Sequence, residues 1–435
     1  MYEMFRFRIR FCLVVATVGT AFIANAVPAS GQSRPETTPL FDGARVLPDH
    51  EGAISEVLLH YDSSTEYSLG PVYRDLFSSL PADVRLQVLC ASLPAVADFI
   101  CTWGDTAVAH GREVYLINVG CEVSPWARDR RIARYYPISG TPAASVVPAD
   151  DAEYVTWQRN ELALPRLLES TEPASGVLTS SVCIEGGNVV ANVRDVFVGF
   201  DAAFENIDIE ELHHELKRVL GRRPILVGAA PGEAPWWHVD MYLTPVDDRT
   251  VLVASPSFAV TLLAPKAECG DVDPLLGCAE AGLAVQPALD AVAEQLASLD
   301  YTVLRLPAVI DEAAEWMITY NNVLMEQRDG KRIVYMPIYH LPALDFVAEA
   351  IYRSLGFEVR TIDVSRIYEC GGAVRCLVNV TRRRPPTSPA THAIRHRKGS
   401  IRVLNLRRRH ARASATADST VVGFLQSQPL QVRAR

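Results

Sequence analysis

YNNVLMEQRDGKRIVYMPIYHLPALDFVAEAIYRSLGFEVRTI, residues 320–362, reads as two apolar runs, a helix and a returning strand. The runs Tyr320 to Met325, Arg332 to Met336 and Glu358 to Ile362 are rich in the β-branched and aromatic residues that suit a pleated, half-buried surface. Between them Ala343 to Leu355 predicts a helix, opened by Leu341-Pro342 and closed before Gly356. A strand pair, a helix and a strand in that order predict an α/β fold. The alternation extends along the chain, with strands expected at Ser55 to Leu59, Glu113 to Asn118, Val189 to Val193, His238 to Leu243, Thr250 to Ala254, Thr302 to Leu306 and Arg375 to Val380. Helices are expected at Val72 to Ser79, Ile207 to Leu220 and Ala288 to Ser298. No period is sharp enough to define a sequence repeat.

The ends differ from this body. Arg6, Arg8 and Arg10 precede an apolar run that closes on Ala24-Asn25-Ala26, the pattern of a secretory signal peptide over 1–26. The run is shorter than the ~20 residues of a membrane span. A lead-in segment, 27–50, would follow, then a folded domain over 51–381. Beyond it, 382–435 holds thirteen Lys and Arg against Asp418 alone and few aromatics, a composition that predicts a disordered basic tail. That tail reads either as an arm for an anionic partner or as a solvated extension. With 49% hydrophobic and 21% charged residues, the chain as a whole is neither a disordered nor a membrane-embedded type.

Nine cysteines in a chain bound for an oxidising compartment suggest disulfides, with Cys269–Cys278 the expected local pair and Cys90–Cys101 a weaker one. No CxxC pair is present, and no metal is expected.

Four polar clusters interrupt the apolar scaffold: Ser124 to Asp129, Ile184 to Asn188, Trp237 to Asp240 and Gly371 to Cys376. Asp129 and Asp240 are candidates to hold a guanidinium, whose planar fork matches carboxylates and whose charge persists at any physiological pH. On a strand, His238 and Asp240 would share one face. A surface His beside a solvated Asp fits the same spacing. Glu185, before Gly186 and Gly187, could orient His238 in one tautomer, or simply belong to a turn. Cys376 is either a nucleophile presented after the glycines, a small buried apolar residue, or a disulfide partner of Cys370.

Taken in order, Trp126 to Asp129 (W-x-R-D), Glu185 to Asn188 (E-G-G-N), His238 to Asp240 (H-[IV]-D), Thr319 to Asn322 and Gly371 to Cys376 (G-G-x-x-x-C) resemble the motifs of the guanidino-group-modifying, or pentein, superfamily. The resemblance is nearest to its agmatine deiminase and bacterial peptidylarginine deiminase branch and runs from about Ser124 to Val380. It implies a pseudo-fivefold α/β propeller of ββαβ units. Catalytic roles would fall to Cys376 as nucleophile, His238 as proton shuttle and Glu185 as its orienting partner. Asp129, Asp240, Asn322, Trp126 and Arg128 would bind substrate. Arg375 stands where members of that branch often carry His, and Arg130-Arg131-Ile132 where a Gly-Pro pair is usual.

The implied reaction converts a guanidinium to a ureido group through a covalent Cys376 thiouronium and requires no metal or organic cofactor. The implied partner is an arginine-containing peptide or a small guanidino compound such as agmatine or free arginine. No nucleic acid is expected to bind the catalytic domain. Arg130, Arg131 and Arg134 are read either as recognising a substrate carboxylate or as solvated surface charges. On the same scaffold an amidinotransferase or a silent arginine-binding module remains open.

Overall fold

Residues 41–405 are described by the computed structural model, apart from 64–65, 170–175, 201–203, 205–206, 229–237, 269–273, 312–315 and 386–399. The signal-peptide expectation therefore falls outside the described residues.

The stretch 320–362 folds as its pattern predicts, with shifted edges. Strand Leu324–Arg328 pairs antiparallel with Lys331–Ile338, helix Pro342–Ser354 crosses back, and strand Phe357–Asp363 pairs parallel with Lys331–Ile338. The hairpin turns on Asp329 and Gly330, both at positive φ (52° and 76°), the Asp-Gly signature of a two-residue turn matched to strand twist. The helix buries Leu344, Ala348 and Tyr352, one stripe at four-residue spacing. Its start is held by Asp345, whose carboxylate accepts from the backbone N–H of Tyr339 and Leu341. Strand structure begins only at Leu324. The preceding Asn321 leaves the ladder because its side chain donates to Thr244 Oγ1 and to the Leu252 carbonyl.

The described residues form a mixed α/β fold with five sheets of four, three, four, three and five strands. In the largest, strands Ala53–Tyr61, Arg85–Cys90 and Glu113–Asn118 run parallel, and Asn379–Arg384 adds antiparallel to the first. The helices Glu66–Ser79 and Leu93–Val108 belong to the same apolar core, where Tyr73, Phe77, Phe99 and Trp103 meet in stacked and edge-on pairs.

Two expectations about the ends are corrected. The strand Asn379–Arg384 carries the domain past residue 381, and Ser400–Asn405 returns to pair parallel with Glu113–Asn118. Ile401 and Val403 pack on the core, which gives this part of the basic segment the apolar burial its overall composition hides. The lead-in segment is likewise engaged, since Arg45–Val46 pairs with Ile132–Tyr135.

Cys90 is buried in its strand and Cys101 exposed on its helix, and both are free thiols, so that expected pair does not form. Cys269 lies outside the described residues; Cys278 is free, and so are Cys370 and Cys376. Among the described residues no single helix is long and apolar enough to cross a membrane.

Candidate active site

The chain departs from regular structure at each of the polar clusters, and the departures bring them together. Trp126 to Asp129 form a turn closed by the Ala127 N–H to Pro125 O and Asp129 N–H to Trp126 O bonds. The Gly186 N–H donates to Asp129 O at 2.7 Å, and the Arg128 N–H to Cys376 O at 3.2 Å. Arg128 completes the junction by donating from Nε to Gly186 O (2.9 Å) and from Nη2 to Val189 O (3.1 Å). It is buried, and burial together with the nearby Arg375 charge pulls its pKa down to about 10. Two of its donors go to carbonyls, so Arg128 ties three motifs together. Trp126 lies against the loop that carries the cysteine: a Cβ at Gly372 would come within 2.6 Å of its indole ring.

Glu185 and His238 form the next pair. Oε2 of Glu185 lies 3.0 Å from Nε2 of His238, while Oε1 meets Arg130 Nη1 at 2.5 Å and accepts from Tyr154 Oη at 2.9 Å. Burial acts to raise the Glu185 pKa, but the His238 hydrogen bond and the His238 and Arg130 charges outweigh it and hold the carboxyl well below its usual range. His238 responds in the opposite sense. Burial disfavours its cation, yet the Glu185 hydrogen bond and the charges of Asp129 and Glu185 push its pKa up to about 9. Gly187 is required here for close approach, since an added Cβ would sit 2.3 Å from His238 Nδ1.

The spacing His238-x-Asp240 does not work as one face of a strand. Val239–Met241 is a single 3₁₀ turn that follows His238, and the Val239 N–H is held by Asn188 Oδ1 at 3.1 Å. His238 consequently faces Glu185 and Asp129, and Asp240 faces Arg375. Nδ1 of His238 lies 3.9 Å from Asp129 Oδ1. Burial and the Glu185 charge raise the Asp129 pKa, against the lowering effect of His238.

Asp240 is 1% exposed, and its Oδ2 accepts from Arg375 Nη1 at 2.6 Å. It is therefore not the free half of a clamp that the sequence suggests, because one oxygen is already engaged. Asp129 Oδ1 and Asp240 Oδ1 are both buried, and among the described residues neither has a hydrogen-bond partner.

Cys376 sits in one helical turn, Val374–Leu377, where a strand was expected. Asn322 holds that turn. Its Oδ1 accepts the otherwise unpaired N–H groups of Arg375 (2.7 Å) and Cys376 (3.2 Å), and its Nδ2 lies 3.2 Å from Cys376 Sγ. Asn322 is thus placed against the cysteine itself, more directly than a pocket-lining role implies. The thiol is 5% exposed, and burial, followed by the charges of Asp240 and Asp129, raises its pKa well above the ordinary value.

Arg130, Arg131 and Arg134 are buried, against the reading of them as solvated surface charges. Arg130 pairs with Glu185 and stacks over Tyr154, Arg131 donates to Ser145 Oγ, and Arg134 donates to the carbonyls of Phe41, Ala44 and Arg218. Asp49 and Tyr154 enter the site without any motif to announce them, and Arg375, inside the Gly371 to Cys376 motif, enters with partners the motif does not announce. Ligand atoms of Asp129, Glu185 and His238 lie within 4.8 Å of one another, a set with the charge to hold a cation.

No protein-family model matches the sequence, and no curated protein matches it. Solved structures do. An agmatine deiminase of C. jejuni aligns with a TM-score of 0.57 at 13% identity, covering 79% of this chain and 97% of that one. An agmatine deiminase of Enterococcus faecalis aligns at 0.59 and 12%, covering 81% and 100%. A candidate peptidyl-arginine deiminase aligns at 0.55 and 15%, covering 78% and 98%. Similarity at this level of identity speaks for architecture: the chain has the mixed α/β fold of these deiminases.

Proposed function

We propose that the protein is a cysteine-dependent guanidine hydrolase acting on peptidyl-arginine. One observation carries the reading: a buried thiol, Cys376, lies near a half-buried carboxylate, Asp129, and a buried one, Asp240, each with a buried oxygen that has no hydrogen-bond partner among the described residues. Two such oxygens in a desolvated site are costly unless a cation with several N–H donors completes them. A guanidinium does so.

Its arrival also activates the nucleophile. Burial and the two carboxylate charges keep the proton on Cys376, and a bound cation offsets the charges, which favours the thiolate. The thiolate adds to the guanidinium carbon, and the tetrahedral adduct expels ammonia after His238 protonates the departing nitrogen. His238, now neutral, takes a proton from water, and the hydroxide attacks the thiouronium carbon. Collapse of the second adduct breaks the C–S bond and returns its hydroxyl proton to Cys376, leaving a ureido product; the proton the thiol first released is taken up by ammonia, so that guanidinium and water give urea derivative and ammonium overall.

The five sheets support a pseudo-fivefold propeller as part of the same reading. The signal-peptide pattern at 1–26 supports export, secreted or periplasmic, where peptides are the abundant guanidino compounds. A second reading, agmatine, is favoured by the agmatine deiminases among the similar folds. Burial of Arg130, Arg131 and Arg134 against internal partners disfavours a grip on a C-terminal carboxylate, so internal arginines are the better peptide substrates.

The test is ureido product from agmatine, free arginine and peptides with internal or C-terminal arginine, with Cys376→Ala as control. Product from internal-arginine peptides above all others supports the reading. Product from agmatine alone replaces it with the second, and no product from any guanidino compound ends both.

A further inference from the structure

Outside the residues that would touch substrate lies one further buried charge cluster. Arg375, the residue before the nucleophile, spends its whole fork on two carboxylates and a carbonyl. Nη1 donates to Asp240 Oδ2 (2.6 Å), Nε and Nη2 to Asp49 Oδ1 (3.2 and 2.9 Å), and Nη2 also to Val189 O (2.8 Å). Asp49 is fixed in turn. Its Oδ2 accepts from the Ala191 N–H at 2.8 Å, its own N–H donates to Ala191 O at 2.8 Å, and its carbonyl accepts from Arg383 Nη2 at 2.8 Å.

Resting on the hydrolase reading, we propose that Arg375, anchored by Asp49, is a positioning residue that presents Asp240 to the substrate through Oδ1 alone. Three features argue for it. The fork geometry fixes the Asp240 carboxylate in rotation as well as position, because Arg375 is itself held on its far side. Oδ1, the oxygen Arg375 does not take, is the one left buried and without a hydrogen bond among the described residues. Arg375 is also covalently next to Cys376, so the same side chain sets the distance between the carboxylate that grips the guanidinium and the thiol that attacks it. Asp49, in a segment read from sequence as a mere lead-in, is then part of the substrate-binding apparatus at one remove.

A lysine in place of Arg375 keeps the charge but cannot bridge both carboxylates, and Asp49→Asn leaves Arg375 on Asp240 without its anchor. Steady-state kinetics with agmatine and with acetyl-Gly-Arg-Gly-amide, on wild type, Arg375→Lys, Asp49→Asn and the double variant, separate the roles. Arg375→Lys should raise KM by on the order of tenfold to a hundredfold, with a smaller change in kcat, the scale of a misplaced binding group. Asp49→Asn should raise KM less. The double variant should match Arg375→Lys alone, because both act through one carboxylate.

Calorimetric titration of agmatine into each variant built on Cys376→Ser should follow the same order and needs no turnover. An unchanged KM in Arg375→Lys, or fully additive effects in the double variant, overturns the assignment. So does a uniform fall in kcat at constant KM, the mark of a merely structural loss. If the wild type turns over neither probe, the hydrolase reading itself is what has failed.

Discussion

Oε2 of Glu185 stands 3.0 Å from Nε2 of His238, and Oε1 of the same carboxylate is gripped by Arg130 and Tyr154. The imidazole therefore leans on a base that cannot turn away.

The first prediction follows from that contact. His238, raised to about 9, is protonated at neutral pH and ready to donate to departing ammonia. Glu185→Gln removes the charge that favours the cation, so the pKa should fall and the alkaline limb of kcat should move to lower pH. Stability carries the same sign. A histidine whose folded pKa exceeds its ordinary 6.5 contributes stability fully below about 6.5 and loses it as pH rises through about 9. The wild-type unfolding midpoint should lose that contribution across this window, and Glu185→Gln should lose less. Paired pH-rate and thermal-unfolding profiles check both, and an alkaline limb that stays put would remove His238 from the role of acid.

The Gly187→Ala variant tests the closeness of the loop to that imidazole. The new methyl would begin 2.3 Å from Nδ1 and 2.9 Å from Cγ of His238, closer than any real contact, so ring or loop must shift. Stability should drop by about 1–3 kcal/mol, the usual cost of overpacking. Turnover should fall on the order of a hundredfold, since an ångström of misplacement in a catalytic group has that effect. Wild-type turnover in this variant would mean that His238 does no chemistry.

These contacts also show what a linear reading can and cannot reach. Asp129, Glu185, His238, Asp240 and Cys376 stood out because short polar motifs interrupt apolar runs, Asn322 only through the family resemblance, and the fold brings these stretches together. Local geometry was less legible. His238 and Asp240 looked like one face of a strand, but Asn188 captures the Val239 N–H and a 3₁₀ turn sends the two side chains to different partners. Arg375 was seen only as a departure from pattern, because its partner Asp49 is 326 positions away and no spacing rule joins them. Arg130, Arg131 and Arg134 misled for the opposite reason. Adjacent arginines look like surface charge until burial and carbonyl partners are known. In the fold, the hairpin at Asp329-Gly330 was written in its turn residues, whereas the strand Arg85–Cys90 has too short an apolar run to tell from a buried helix segment by periodicity.

Asn322 offers a third prediction. Its Oδ1 satisfies two backbone N–H groups at the start of the cysteine's helical turn, and Asn322→Ala leaves both buried and unpaired. Each such group costs about 1–3 kcal/mol. Denaturant unfolding of Asn322→Ala should register a loss in that range for the pair or somewhat more, with kcat reduced because Cys376 also loses its 3.2 Å contact to Nδ2. Asn322→Asp restores the acceptor but adds charge next to the thiol. It should recover stability and not activity, and recovery of both would mean that Asn322 matters only as a cap.

Cysteine labelling gives the last prediction, because the thiols differ sharply in surroundings. Cys101 and Cys370 are exposed and free, while Cys376 is buried with its pKa pushed well up by burial and by Asp240 and Asp129. Iodoacetamide reacts with accessible thiolates, so at pH 7.5 the exposed Cys101 and Cys370 should label long before the buried Cys376. Asp240→Asn removes one of the two charges that hold the proton on the sulfur. Mass-spectrometric rates should then show Cys376 gaining reactivity in that variant while Cys101 and Cys370 keep theirs. A Cys376 that labels as fast as Cys370 in the wild type would mean that the carboxylates do not restrain it, and the substrate would have no charge to offset when it activates the nucleophile.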